Sequence, residues 1–148
     1  MSMPKSVVKI RNGNVTYTSS VDRVQYTLRE LTRAALKDTG RFICNVFRKS
    51  YYQTFHKKTG KAGKGCQYWV RSRECDLQVG IGKKGIGFYS GMQEVGSSKS
   101  PRYALLRNAV NDNTDKIKEI QSKYLSALED EGRAAALIDE KEKIGDDE

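Results

Sequence analysis

The chain has 148 residues, 37% of them hydrophobic and 30% charged, and a formal net charge of +9. That length supports one modest core. No apolar run approaches the ~18 residues that a membrane span needs, and Met1 to Ile10 lacks the apolar segment of a secretory signal. A cytoplasmic protein is expected, unless the chain is packaged into a particle.

In chain order, Met1 to Asn14 reads as an arm or short strand that ends in a turn at Asn12-Gly13-Asn14. Ser19 and Ser20 are good helix caps. Val21, Val24, Leu28, Leu31 and Ala35 follow at spacings of 3, 4, 3 and 4, one face of an α-helix. The pattern resumes at Phe42 and Val46, so one long helix is predicted to about Tyr52, with a possible bend at Gly40. His56 to Gly65 holds three glycines and four lysines and reads as a flexible basic loop.

Gln67 to Arg73 is rich in aromatic and β-branched residues, and Leu77, Val79 and Ile81 then alternate with polar or small ones. The two runs predict an antiparallel hairpin. Alternation sets Tyr68, Val70 and Ser72 on one face and Trp69, Arg71 and Arg73 on the other. At least one aromatic is therefore expected at an exposed or interface position. Gly87 to Val95 fits either a third strand or a short helix. Ser100-Pro101 predicts a helix start, and a second long helix is expected to run to about Leu128, with Asn113, Ile117, Ile120 and Tyr124 on its stripe. The predicted fold class is α+β: two long amphipathic helices on a small antiparallel hairpin or three-stranded sheet. The boundaries read as an arm at 1–19, one domain at 20–128, and an acidic tail at 129–148, partly disordered or helical.

Charge is unevenly placed. Residues 129–148 carry nine acids and three bases, about −6, which leaves about +15 on the body. From Arg41 to Arg107 fourteen bases face three acids. Lys57, Lys58, Lys61, Lys64, Arg71, Arg73, Lys83 and Lys84, with Tyr68 and Trp69 among them, are the candidates for contact with a phosphate backbone or an acidic partner. The alternative is a solvated basic face. The acidic tail either keeps the chain soluble or screens that body.

Motifs for chemistry are weak. Gly80-Ile-Gly82-Lys-Lys-Gly85 matches GxGxxG but lacks a following helix and a correctly spaced acid, and reads as a turn. Lys58-Thr59-Gly60 and Ser2-Met3-Pro4-Lys5 match boxes of penicillin-recognising enzymes, in a chain too short for that fold. His56 is the only histidine and sits beside two lysines. Cys44, Cys66 and Cys75 have no CxxC spacing and read as reduced thiols, with Cys66 and Cys75 on segments that could lie close together. No catalytic, cofactor or metal site is expected.

The order of the pieces resembles the tail-component family of long-tailed phages, the head–tail joining, neck or tail-completion proteins. The matching residues are Lys58-Thr59-Gly60, then Leu77-Gln78-Val79-Gly80, then Gly87 to Ser97 with its Phe88-Tyr89 pair and Glu94-Val95-Gly96-Ser97, and last Ser100-Pro101-Arg102-Tyr103 to Ala109. The chain departs from the family pattern at Val95, where an aromatic is usual, and at Arg102-Tyr103, near which a Pro-Phe pair is usual. The resemblance spans roughly Ser20 to Leu128. It implies a virion protein assembled in the host cytoplasm as a ring of six copies or a multiple, between connector or stopper and tail tube, with non-specific DNA contact in the channel and no membrane. Trp69, Phe88, Tyr89, Met92, Glu94, Pro101, Arg102 and Tyr103 are the candidates for core or subunit interface. The other class carried forward is a free nucleic-acid-binding regulator that uses the basic loop and hairpin.

Overall fold

Ser19 offers its Oγ to the Val21 N–H at 3.5 Å, and Asp22 adds a carboxylate to the first turn, where the helix dipole favours negative charge. The helix that follows, α1, runs unbroken over Val21–Thr54 in the computed structural model. The structure describes residues 9–13, 15–19, 21–55, 61–71, 73–82, 88–99, 101–130 and 132–138. The remaining elements are strands β1 (Lys9–Asn12) and β2 (Val15–Thr18), a helical turn α2 (Lys61–Lys64), strands β3 (Cys66–Arg71) and β4 (Asp76–Ile81), and helices α3 (Phe88–Val95), α4 (Leu105–Asn111) and α5 (Thr114–Ser126). A 3-10 turn follows at Ala127–Glu129, and residues 132–138 form a last helix, α6. The class is α+β, with two separate two-stranded antiparallel sheets among the described residues.

The chain divides into two compact units. The first comprises residues 1–34 and 122–148, the second residues 35–121. In the first, β1 pairs with β2 from Asn12↔Val15 to Lys9↔Thr18, and Gly13 in the turn takes φ 61°, a left-handed conformation that costs a glycine little. The buried residues of this unit are Leu31, Ala34, Tyr124, Ala127, Ala134, Leu137 and Ile138. Two sequence expectations change here. Val21, Val24 and Leu28 are on the predicted core stripe of α1 yet stand exposed, so burial begins only at Leu31. Leu128 is exposed and Ala127 buried, because the chain tightens into the 3-10 turn after Ser126 and brings in the residue three beyond Tyr124 rather than four.

The start of the acidic segment is ordered helix. Asp130 caps α6, its Oδ1 accepting the N–H groups of Gly132 at 3.0 Å and Arg133 at 3.4 Å, and Ala134, Leu137 and Ile138 give the helix a buried stripe. Residues 139–148 lie outside the described residues.

In the second unit the hairpin packs along α1. Cys44, Phe47, Tyr51, Cys66 and Ala109 form its buried cluster, with Tyr68, Val79, Ile81, Leu105 and Leu106 against it. Burial of one aromatic such as Phe47 contributes about 2–3 kcal/mol. Gly40 lies inside the unbroken α1. It admits Tyr68: a Cβ at Gly40 would stand 2.6 Å from the ring Cδ2 and 2.7 Å from Cγ. The β3–β4 register runs from Cys66↔Ile81 to Arg71↔Asp76. Cys75 lies in the turn at the far end from Cys66, so the two are not neighbours along the hairpin. Cys75 adopts φ 51°, the left-handed position that closes the turn.

Of the two readings open for Gly87 to Val95, Phe88–Val95 takes the short helix, and among the described residues the β3–β4 sheet has two strands. One further expectation is corrected. The second long helix is broken into α4 and α5 and does not start at Pro101. Residues 101–104 are non-helical, Ala104 is left-handed at φ 50°, and the Tyr103 N–H is drawn to the Gln93 carbonyl at 2.9 Å. At the break, Asn113 donates its side-chain amide to the Ala109 carbonyl at 3.0 Å and the Thr114 hydroxyl bonds the Asn111 carbonyl at 2.9 Å. Such local bonds compete with the helix ladder and favour a stop in an Asn-Asp-Asn-Thr run.

Two substitutions test this packing. Gly40→Ala gains about 1 kcal/mol of helix propensity but presses on the near end of the Tyr68 ring, which cannot swing clear. Overpacking of that kind costs about 1–3 kcal/mol. Net destabilisation in urea melts is expected, and strong non-additivity with Tyr68→Ala in a double-mutant cycle. Asp130→Ala is expected to cost about 0.5–2 kcal/mol and to lower hydrogen-exchange protection at 134–138 selectively.

Candidate interaction surface

Beyond Gly40, α1 turns one face of Cys44, Phe47 and Tyr51 toward its neighbours, Phe55 just past its end continues that face, and together they position the surface elements of the second unit. Tyr51 and Phe55 pack with tilted rings at 4.8 Å between centroids, and Phe55 meets Tyr103 edge-on at 4.9 Å. The Tyr51 hydroxyl donates to Gln93 Oε1 at 2.8 Å, which fixes α3. Tyr103, a predicted interface or core residue, is thus a half-buried packing residue.

Glu94, also predicted for core or interface, does something different. Its Oε2 accepts the Leu106 N–H at 2.8 Å and its Oε1 the Arg107 N–H at 3.0 Å. These are orphan donors in the first turn of α4, whose own cap residue, Ala104, has no side chain to offer. A carboxylate on α3 caps α4 from outside. Gly96, at φ 87°, ends α3, its N–H donating to the Met92 carbonyl at 2.7 Å and a Cβ there meeting Arg102 Cβ at 3.0 Å. Pro101 and Arg102 are exposed on this linking segment.

With its inner face committed, α3 leaves Tyr89, Met92 and Val95 outward at i, i+3 and i+6. Tyr89 is 72% exposed and Val95 75%. On the hairpin the alternation holds. Cys66 is buried and Tyr68 and Val70 half-buried, while Gln67, Trp69 and Arg71 are exposed, Trp69 at 51% and paired across the strands with Gln78. Trp69, Tyr89 and Met92 therefore belong to the surface of this chain and not to its core. Phe88 opens α3, and its side chain lies outside what is described.

The basic candidates fare unequally. Lys57, Lys58, Lys83 and Lys84 fall outside the described residues, as does His56. Lys61 opens α2, and Lys64 at its end is exposed. Arg73 is exposed in the hairpin turn. Arg71 is not a spare cation: it forms a two-pronged pair with Asp76, its Nε 2.7 Å from Oδ1, and a second ion pair with Glu74. The hydrogen bonds from Arg71 hold the Asp76 carboxyl below the ordinary carboxylate range, and the acceptors that Asp76 and Glu74 offer it hold the guanidinium proton more tightly than usual. A cation that sequence counting missed in this role is Arg48, whose Nε donates to the Gly63 carbonyl at 3.0 Å and anchors the end of the basic loop to α1. Its signal in the sequence is only its place one residue after the buried Phe47.

Among the described residues no cluster of three or more His, Cys, Asp or Glu could hold a metal ion, and no helix is long and apolar enough to cross a membrane. Comparison with family models, curated proteins and solved structures finds no match.

Removing the cap separates Glu94 from a mere surface acid. Glu94→Ala is expected to cost about 1–2 kcal/mol, read by chemical denaturation, with amide exchange rising at Leu106 and Arg107 first. Glu94→Gln, which keeps an acceptor oxygen, is expected to lose less.

Proposed function

We propose that this chain is a structural virion protein, a ring subunit at the neck or tail top of a long-tailed phage, joining connector to tail tube around the DNA channel. The observation that carries the reading is that ordered helices leave two apolar faces in water. One is Tyr89, Met92 and Val95 on α3 in the second unit, and the other is Val21, Val24 and Leu28 on α1 in the first. A head-to-tail ring requires two different complementary patches on every subunit, and contiguous apolar faces of this kind mark sites of association. The phage-family resemblance of the segment order, from the Lys58-Thr59-Gly60 loop to the Pro101 segment, supports the same reading. In this proposal the lysines between Lys57 and Lys64, with Lys83 and Lys84, meet DNA phosphates or acidic loops of the next ring, while the pairing of Arg71 with Asp76 keeps that residue structural.

Patch variants test it. Tyr89→Ser with Val95→Ser removes one face, and Val21→Ser with Val24→Ser removes the other. The wild-type chain is expected to give a closed oligomer by native mass measurement, and each variant alone a monomer. A mixture of the two is expected to form a 1:1 complex that cannot grow, since one complementary pair survives. A wild-type chain that stays monomeric at every concentration overturns the ring. Nanomolar, sequence-selective binding in a gel shift at moderate salt would favour the regulator instead. In assembled particles, neutralising Lys57, Lys58, Lys61 and Lys64 is expected to lower infectious yield, and normal yield removes the role given to that loop.

A further inference from the structure

The sulfurs of Cys44, in the middle of α1, and Cys66, the first residue of β3, lie 3.3 Å apart, unbonded. The two residues are 2% and 1% exposed. A bond between them needs the sulfurs to close to about 2.05 Å, a shift of the order of an ångström. Each side chain stands on a regular element packed on the other, since Tyr68, two residues along β3, is seated against Gly40, four residues back on α1. Only two sulfurs converge, and no third metal-ligating side chain joins them among the described residues.

We infer that Cys44 and Cys66 are a redox pair which a peroxide converts into an intrachain disulfide, fastening α1 to the start of β3. The two thiols have unequal roles. The Cys66 S–H donates to the Cys44 sulfur, which lowers the Cys44 thiol below its ordinary value despite its burial, and the charge of Arg48 adds to this. Cys66 is pushed the other way by the proton it shares and by burial. Cys44 is therefore the nucleophile and Cys66 the resolving thiol. The Cys44 thiolate attacks one peroxide oxygen, the O–O bond breaks, and the departing hydroxide takes up the proton that Cys44 released on ionising, leaving a sulfenic acid and one water. The Cys66 sulfur then attacks the Cys44 sulfur, its proton leaves with the expelled hydroxide, and a second water forms. Two electrons pass from the thiols to the peroxide.

The bond would close the segment that carries the basic loop. That segment is held near its end by two other contacts, Arg48 Nε to the Gly63 carbonyl at 3.0 Å and the Gly82 N–H to the Gly65 carbonyl at 2.9 Å. Burial also selects the oxidant. A peroxide of near-water size reaches a sulfur that a bulky disulfide such as oxidised glutathione does not, whereas exposed Cys75 meets both. The inference does not rest on the phage reading.

The test uses the full chain, wild type and Cys75→Ser, with hydrogen peroxide or oxidised glutathione, followed by alkylation in denaturant and tryptic mapping. Peroxide is expected to join peptide Phe42–Arg48 to peptide Gly65–Arg71 in both chains. The Cys75→Ser protein should become ~2 Da lighter without dimerising, and its thermal midpoint should rise until a reductant is added. Glutathione is expected to modify Cys75 alone in the wild type. The proposal is overturned if Cys44 and Cys66 both remain alkylatable once Cys75 has been oxidised, if they are oxidised separately without joining, or if they join only between chains. Should Cys75→Ser fail to fold, the wild-type peptide map reads the same link.

Discussion

The second unit depends on one seam that runs along α1 and one residue past its end. Gly40, Cys44, Phe47, Tyr51 and Phe55 recur at spacings of 4, 3, 4 and 4, and each holds a different piece of the unit or a neighbour that does. Gly40 takes the ring of Tyr68, Cys44 takes Cys66, and the seam continues through Phe47 to Tyr51, which bonds Gln93 of α3, and Phe55, which meets Tyr103 edge-on. The hairpin, α3 and the segment before α4 thus share one rigid reference. A helix of 34 residues is much longer than its intrinsic propensity requires, and tertiary packing of such a seam is what stabilises it.

Precision on the inner side has a counterpart outside. Once Gln93 and Glu94 are committed to Tyr51 and to the first turn of α4, the helical repeat forces Tyr89, Met92 and Val95 into solvent. The exposed apolar face is a geometric result of how α3 is tethered, and it gives the proposed association its material. The hairpin works the same way. Seating Cys66, Tyr68 and Val70 inward sends Trp69 out, and Arg71 is then neutralised by acids of its own strand pair and turn.

Periodicity made the longest elements legible. The 3.6-residue repeat announced α1 through Gly40, and two-residue alternation announced β3 and β4 and sorted the residues of β3 into two faces, without saying which of them is inward. It read less well wherever a distant group decides the outcome. Val21, Val24 and Leu28 carry the right spacing, but spacing says nothing about whether a partner layer extends that far. Ser100-Pro101 has the chemistry of a helix start, and the pull of Gln93 on Tyr103 with the cap from Glu94 moved that start to Leu105. Val15-Thr-Tyr-Thr18 was a readable strand signal, β-branched and aromatic, next to a turn already recognised. At the surface, counting bases could not separate Arg71, bound to Asp76, from a cation available to a partner. Neither Cys44 beside Cys66 nor Glu94 above α4 leaves a local trace, because each contact joins residues at least 12 apart in the chain.

The cap that α4 borrows from Glu94 carries a consequence for how this chain can vary. Between the carboxylate and the two amides it serves, the backbone must leave α3 at Gly96, return Tyr103 to Gln93 and reverse at Ala104. The length of that excursion is set by the reach of one side chain. An added or deleted residue between Val95 and Leu105 would strand α4 without a start. Descendants of this sequence should therefore hold the length of the link from α3 to α4 fixed even where its residues change.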